Sequence, residues 1–187
     1  DKLPPELFTQ EFKLPVYDKP ESFREGLREA ARLFKEAGWV SRNGKLVSEK
    51  TGEQFRIEIP GDDPTDERIA GPFVENLKRM GIDDSLRIID TSQYINRVRS
   101  FDFDIVTAVQ SQSQSPGNEQ RDFWSSRAAD TPGSRNYAGI KDPVVDALVE
   151  QVIFAGSREE LIAATHALDR VLLWSYYYIP QYHNPKA

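Results

Sequence analysis

Apolar residues in this chain recur at two spacings, and the alternation of the two sets out a series of helices and short strands. Phe23, Leu27, Ala30, Ala31 and Phe34 fall three or four apart, which predicts an amphipathic helix from 21, with Gly38 capping its far end before Trp39. Strands over 45–47 and 54–59 follow, the second carrying Phe55, Ile57 and Ile59 at alternate positions. The turn-prone 48–52 between them makes these a hairpin or two neighbouring strands. Asp63-Pro64 supplies an N-cap and a first-turn proline for a helix whose face is Ile69, Phe73, Val74, Leu77 and Met80, and Gly81 ends it. A strand over 86–90, a short helix over 92–100 and a strand over 103–109, Phe-Asp-Ile-Val-Thr-Ala-Val, come next. Helix and strand therefore alternate, which favours an α/β fold: a mixed sheet with helical crossovers, parallel at least in part and flanked by helices.

Beyond 109 the pattern turns polar. Residues 110–118 read Gln-Ser-Gln-Ser-Gln-Ser-Pro-Gly-Asn, and a turn or helix over 119–126 follows, then an irregular link through Pro132-Gly133. Asp142-Pro143 starts a helix carrying Val145, Leu148, Val149 and Val152. Ser157 and Glu160 form a capping box for another, which runs through Leu161, Leu168, Val171 and Leu172. The tail from Trp174 to Tyr182 is rich in β-prone aromatics, and Pro180 restricts it to an edge or terminal strand. At the other end, prolines at 4, 5, 15 and 20 make residues 1–20 an extended strap that needs a neighbour to lie on.

Composition narrows the function. The 187 residues, 39% hydrophobic and 11% aromatic, suffice for one packed domain or one large lobe. A net charge of −6 gives no broad positive field, which argues against nucleic acid as a partner. With no cysteine, disulfides, thiol nucleophiles and thiolate metal sites are excluded. No apolar run is long enough to span a membrane, no signal peptide is legible, and a chain opening on Asp1 is expected to be a trimmed product.

In an α/β sheet, ligands bind beyond the carboxyl ends of strands, so the loop after 109 is a candidate recognition edge, with a plain solvated loop as the alternative. Gln110, Ser111, Gln112, Ser113, Gln114 and Asn118 offer amide and hydroxyl hydrogen bonds, Phe123 and Trp124 an apolar wall or a core pair, and Asn136 and Tyr137 further polar contacts or a turn. Asp102 and Asp104 sit at strand spacing, which serves a metal or acid–base pair, or else bonds to loop amides and to Arg97 or Arg99. Asp62, Asp63, Asp66 and Glu67 suit a helix N-terminus and lack the glycine and ligand spacing of a calcium loop. His166 and His183 belong to no HExxH arrangement, and no GxSxG elbow is present, so neither a metal nor a catalytic triad is expected. No cofactor is implied.

Six stretches, EAARLFKEAGW, QFRIEI, LKRMGI, FDFDI, NYAGIKDPVVDAL and YYYIP, occur in an order that resembles the C-terminal lobe of the bacterial extracellular solute-binding proteins of the peptide/nickel type, family 5. Within it, the chain is most similar to the Yej-type receptors of oligopeptide and microcin C uptake. The resemblance implies the second lobe of a two-lobed, periplasmic-binding-protein-like fold, with residues 1–20 as an extended segment from the hinge and 21–187 as the ligand-binding lobe. Its implied partners are an oligopeptide ligand, the N-terminal lobe of the same parent protein and an ABC permease, in the periplasm. The two ends of the lobe are then expected to lie close together. Many relatives hold the peptide's amino group with an acid in the corresponding loop. Here Gln-Ser-Gln-Ser-Gln stands in its place, and Glu119 is the nearest substitute. Two other classes remain open: a hydrolase using Asp102, Asp104 or Glu119, and an interaction module docking through exposed aromatics.

Overall fold

Pro4 and Pro5 remove two backbone donors where a first helical turn has no use for them, and the turn α1 (Glu6–Thr9) follows at once. The structure, a computed structural model, describes residues 3–181. The opening segment is thus not extended throughout, because the one-turn helix buries Leu7. Contacts divide the chain into two compact units, residues 14–109 and residues 3–13 together with 110–181.

In the unit 14–109, α2 (Pro20–Glu36) begins on a first-turn proline, with Ser22 Oγ accepting from Lys19 N–H at 3.2 Å. Phe34 and Trp39 set their rings edge-on to Phe55, at 5.7 and 4.5 Å. β1 (Trp39–Arg42) and β2 (Lys45–Ser48) form an antiparallel hairpin. Its turn is Asn43-Gly44, both at positive φ (51° and 75°), the geometry in which the turn twist matches the strand twist. After the turn 48–52 the chain comes back antiparallel beside β2 for a single bridge, Val47↔Gln54, with Ser48 N–H donating to Glu53 O and Phe55 N–H to Leu46 O. β3 (Arg56–Gly61) pairs instead with β4 (Asp83–Ile88), parallel and in register Ile59↔Leu86, and α3 (Pro64–Arg79) is the crossover between them. Asp63 Oδ1 accepts from Thr65 N–H at 2.7 Å, and Asp66 Oδ2 takes Asp62 N–H and Asp63 N–H, so the acidic cluster builds a helix start. Gly81 ends α3 at φ +82°, and a Cβ there would meet the Gly44 carbonyl oxygen at 2.6 Å, which excludes any side chain. α4 (Thr91–Arg99) starts on Asp90, whose Oδ1 caps Ser92 and Gln93.

The expected strand over 103–109 does not form. Asp104 and Ile105 N–H both donate to Glu58 O, and Asp104 Oδ2 accepts from Glu58 N–H, so the segment starts along the free edge of β3. Strand alternation puts Pro60 on that same edge. Proline has no N–H to donate, the ladder cannot continue, and Val109 ends 93% exposed.

One carboxylate in this unit is placed against its chemistry. Both oxygens of Asp84 on β4 are shielded from solvent and have no hydrogen-bond partner among the described residues, and burial pushes its carboxyl above the usual range. Asp84→Val is expected to raise stability by about 1 kcal/mol at neutral pH. The sign follows from the raised folded value: the wild type is relieved of the penalty below the unfolded value of about 3.9 and acquires it as pH rises through the folded value. Urea unfolding at several pH values should therefore show the gap between variant and wild type closing on acidification. A gap independent of pH would count against this account of Asp84.

The other unit contains α5 (Glu119–Trp124), a 3₁₀ turn (Ala128–Asp130), α6 (Pro143–Ile153) and α7 (Arg158–Trp174). Its core joins Phe123, Ile140, Val145, Val149, Leu168 and Val171, with α6 laid against α7. Asp142 caps α6 through Val144 N–H. Ser157 Oγ caps α7 through Glu160 N–H at 3.1 Å, while Glu160 Oε2 takes Gly156 N–H in place of the expected Ser157 N–H. No strand follows α7 within 175–181: the helix runs through Trp174 and takes up the first of the tail's aromatics; Tyr182 and His183 lie outside the described residues. Tyr177 and Tyr178 pack on the core and Tyr176 is exposed. Phe12 meets Trp174 and Tyr176 at 5.6 and 5.9 Å, and the Arg170 guanidinium donates to the carbonyls of Leu7 and Gln10, so the segments leading into and out of this unit lie together. Among the described residues no helix is long and apolar enough to cross a membrane.

Candidate functional site

The amide-rich loop 110–118 folds onto the start of α5 through its own side chains. Glu119 Oε1 accepts from Gly117 N–H at 2.8 Å and from Gln120 Nε2 at 3.2 Å. The Gly117 bond, more than any other cause, holds the Glu119 carboxyl below its usual range. That bond's stabilisation is present above the unfolded value of about 4.3 and is lost as pH falls through the folded value. Gln120 is the hub: its Oε1 accepts from Trp124 Nε1 at 2.8 Å and its Nε2 donates to Gln112 Oε1 at 2.8 Å, with only 4% of the residue exposed. Arg158, at the start of α7, donates through Nη1 to Gln114 O at 2.7 Å and ties the loop's middle to the helix. Gln110 Nε2 donates to Tyr178 Oη at 3.2 Å, and burial pushes that phenol above its usual value. Tyr178 in turn sets its ring edge-on to Trp124 at 5.4 Å.

These bonds leave a cleft of about 330 Å³ between the loop, α5 and one face of α7. Gln112, Ser113 and Gln114 form its polar rim, Trp124, Leu168 and Leu172 its apolar side, and Thr165, His166 and Asp169 further polar positions. A mostly apolar cavity with a few placed polar groups is the usual form of a small-ligand site.

Of the residues singled out in the sequence, Gln112, Ser113, Gln114 and Trp124 come together at this cleft. Ser111 is exposed, Ser113 Oγ accepts from Ser115 N–H, and Asn118 Oδ1 accepts from Arg121 Nη1 at 2.9 Å. Phe123 is fully buried, with the Arg135 guanidinium 4.0 Å from its ring centroid. Asn136 is also fully buried: its Nδ2 donates to Ser125 O and Ile140 O, and its Oδ1 accepts from Ile140 N–H. Tyr137, half-buried beside it, is not among the residues lining the cleft. Asp102 pairs with Arg97 at 2.9 Å, and Asp104 is taken up by the Glu58 backbone. Arg97 also bonds Glu58 at 2.8 Å, which holds the Glu58 carboxyl low. Among the described residues no group of His, Asp or Glu is arranged to hold a metal ion.

Residues 3–131 match the model for bacterial extracellular solute-binding proteins, family 5, middle region. The chain belongs to this family. Among its relatives, the probable peptide-binding protein YejA of Agrobacterium fabrum is 51% identical over 184 residues, 98% of this chain and 30% of that protein. The peptidoglycan-binding protein YepA of the same organism is 37% identical over 181 residues, 97% of this chain and 29% of that protein. This family 5 chain thus spans about three-tenths of the length of the relatives it matches. Its fold is similar to that of the Bacillus subtilis oligopeptide-binding protein AppA, solved in complex with a nonapeptide, with a TM-score of 0.72 at 21% identity over 91% of this chain and 33% of that one. The mixed α/β architecture is therefore that of a periplasmic-binding-protein lobe.

Four polar residues at the cleft escaped the sequence reading: Gln120, Arg158, Thr165 and Asp169. Three lie on α7, where polar positions read as a solvated outer face. Gln120 carried a signal in hindsight, an amide four residues before Trp124 on a helix, the spacing at which side chains meet.

Proposed function

We propose that this chain is one lobe of the substrate-binding component of a peptide-type ABC importer. It captures oligopeptides, modified peptides such as microcin C among them, against a second lobe of the same parent protein, outside the cytoplasm, and presents them to a membrane permease. The observation that carries this reading is the cleft at the amide loop: Gln112, Ser113 and Gln114 stand at the rim of a cavity with an apolar side. Amides and hydroxyls serve peptide backbones whatever their sequence, and the apolar side takes up side chains without selecting strongly among them. Capture is a closure about a hinge that ligand stabilises, so one lobe alone binds weakly, with part of its contact area missing and the full loss of translational freedom still incurred. Catalysis is not part of this function. The acids singled out in the sequence for such chemistry are otherwise engaged: Asp102 and Asp104 with Arg97 and the Glu58 backbone, and Glu119 with its own turn.

The test is thermal unfolding of the full-length protein with and without a mixed peptide pool, followed by mass spectrometry of the pool. At about 100 times its Kd a peptide adds about 2.7 kcal/mol to the bound fold, a readable rise in Tm. A rise with intact peptides supports the receptor. Cleaved peptides would replace it with a hydrolase, and an unmoved Tm across the pool would remove peptides as the ligand class.

A further inference from the structure

The indole N–H of Trp124 can only donate, and from it the orientation of two glutamine amides follows. Trp124 Nε1 lies 2.8 Å from Gln120, so the end of the Gln120 amide that it meets is the oxygen. The other end is then Nε2, a donor of two hydrogens, and both are taken, one by the Glu119 carboxylate at 3.2 Å and one by Gln112 at 2.8 Å. Glu119 requires the same order independently, because an ionised carboxylate can only accept. The end of Gln112 that meets Gln120 is therefore Oε1, and its Nε2 is turned the other way. Gln112 is exposed, lines the cleft, and makes no hydrogen bond through Nε2 among the described residues. Its neighbours on the rim have the same polarity. Ser113 Oγ accepts from Ser115 N–H, which leaves its proton to give, and the Arg158 guanidinium, bonded to Gln114 O, has only donors.

We propose that Gln112 binds a ligand oxygen through Nε2, and that Gln120 is the positioning residue that turns it so. This rests on the peptide reading above and adds to it a direction: at this point the site takes a main-chain carbonyl and turns away a main-chain N–H. Gln120, 4% exposed, touches no ligand. It acts by holding the acceptor end of Gln112 inward, and without it the exposed amide would turn over and offer either end. The difference matters for a peptide. Donors and acceptors both recur along its backbone, so an amide free to turn accepts the chain in any register, whereas a fixed one accepts only the registers that bring a carbonyl to it. Trp124 thereby contributes twice, its ring to the apolar side of the cleft and its N–H to the orientation of an amide two hydrogen bonds away.

The experiment raises the concentration of the mixed peptide pool over the full-length protein and its variants, and reads the concentration needed for a given rise in Tm above each one's own ligand-free value. Gln112→Glu keeps an oxygen on Gln120 Nε2 and presents a second oxygen where the wild type has Nε2. It should leave the ligand-free Tm unchanged and raise the required concentration about tenfold or more. Gln112→Met, which offers the ligand nothing polar, should raise it about fivefold. Gln120→Met should lower the ligand-free Tm, since Trp124 N–H loses its partner, and raise the required concentration about threefold. The double variant should bind no worse than Gln112→Met alone, because Gln120 acts through Gln112. A Gln120 that merely supports the fold would instead give losses that multiply. Tighter binding by Gln112→Glu would put a ligand N–H or ammonium at this point and overturn the assignment. Unchanged binding by both Gln112 variants, or multiplying losses, would overturn it too, and in each case the receptor reading stands. A pool that leaves the wild-type Tm unmoved removes both.

Discussion

Asn136→Ala is expected to cost about 4 kcal/mol of stability, the loss of three buried hydrogen bonds at once. The side chain has no exposed surface and spans the turn before α6, holding Ser125 O, Ile140 O and Ile140 N–H together. Alanine leaves two carbonyls and one N–H desolvated without partners, at about 1–3 kcal/mol each before relaxation. Asn136→Asp should fare little better, because its carboxylate faces two carbonyl oxygens where an amide donated. Urea unfolding checks the cost, and peptide affinity of the protein that remains folded should be unchanged. A variant that keeps its stability and loses ligand would return Asn136 to the binding site.

Phe123→Ala should destabilise by a similar amount, about 3–5 kcal/mol, and Phe123→Leu by about 1 kcal/mol. The ring is wholly enclosed by the core that joins α5, α6 and α7. Its outer face carries the Arg135 guanidinium, itself bonded to Asp122 at 2.7 Å, so truncation also removes a cation–π contact. Its neighbour Trp124 differs in kind: it lines the cleft and its Nε1–H is bonded to Gln120. Unfolding in urea should thus separate the two, with Phe123 variants losing stability at constant ligand affinity and Trp124→Phe losing affinity. Equal effects of both on ligand binding, with no loss of stability for Phe123→Ala, would contradict this division.

The helices were legible because their ends are written in local chemistry. Asp63-Pro64, Asp142-Pro143 and Ser157 each supply a side-chain oxygen for a free N–H, and Gly38 and Gly81 take the positive φ that ends a helix. The strand β1 was missed although Asn43-Gly44 is a strong hairpin signal, because Trp39–Arg42 alternates too briefly to stand out. The strand read into 103–109 has the right residues and the wrong neighbour: Pro60, some forty positions earlier, breaks the edge it would join. Tertiary pairing of that kind leaves no mark on the segment itself. The candidate site was half legible for the same reason. Its rim is a contiguous polar run and stood out, whereas Thr165 and Asp169 become part of it only because α7 folds back beside a loop more than forty residues away.

Backbone hydrogen exchange of the full-length protein tests most directly whether ligand sits at the cleft between the amide loop and α7. Residues 111–115 are exposed and bonded mainly through side chains, so their amides should exchange fast without ligand. With saturating peptide, the account predicts slowed exchange over 111–117 and, in α7, over 158–169, with 125–140 unchanged. Slowed exchange confined to other segments, with the loop as fast as before, would place the ligand elsewhere and contradict it.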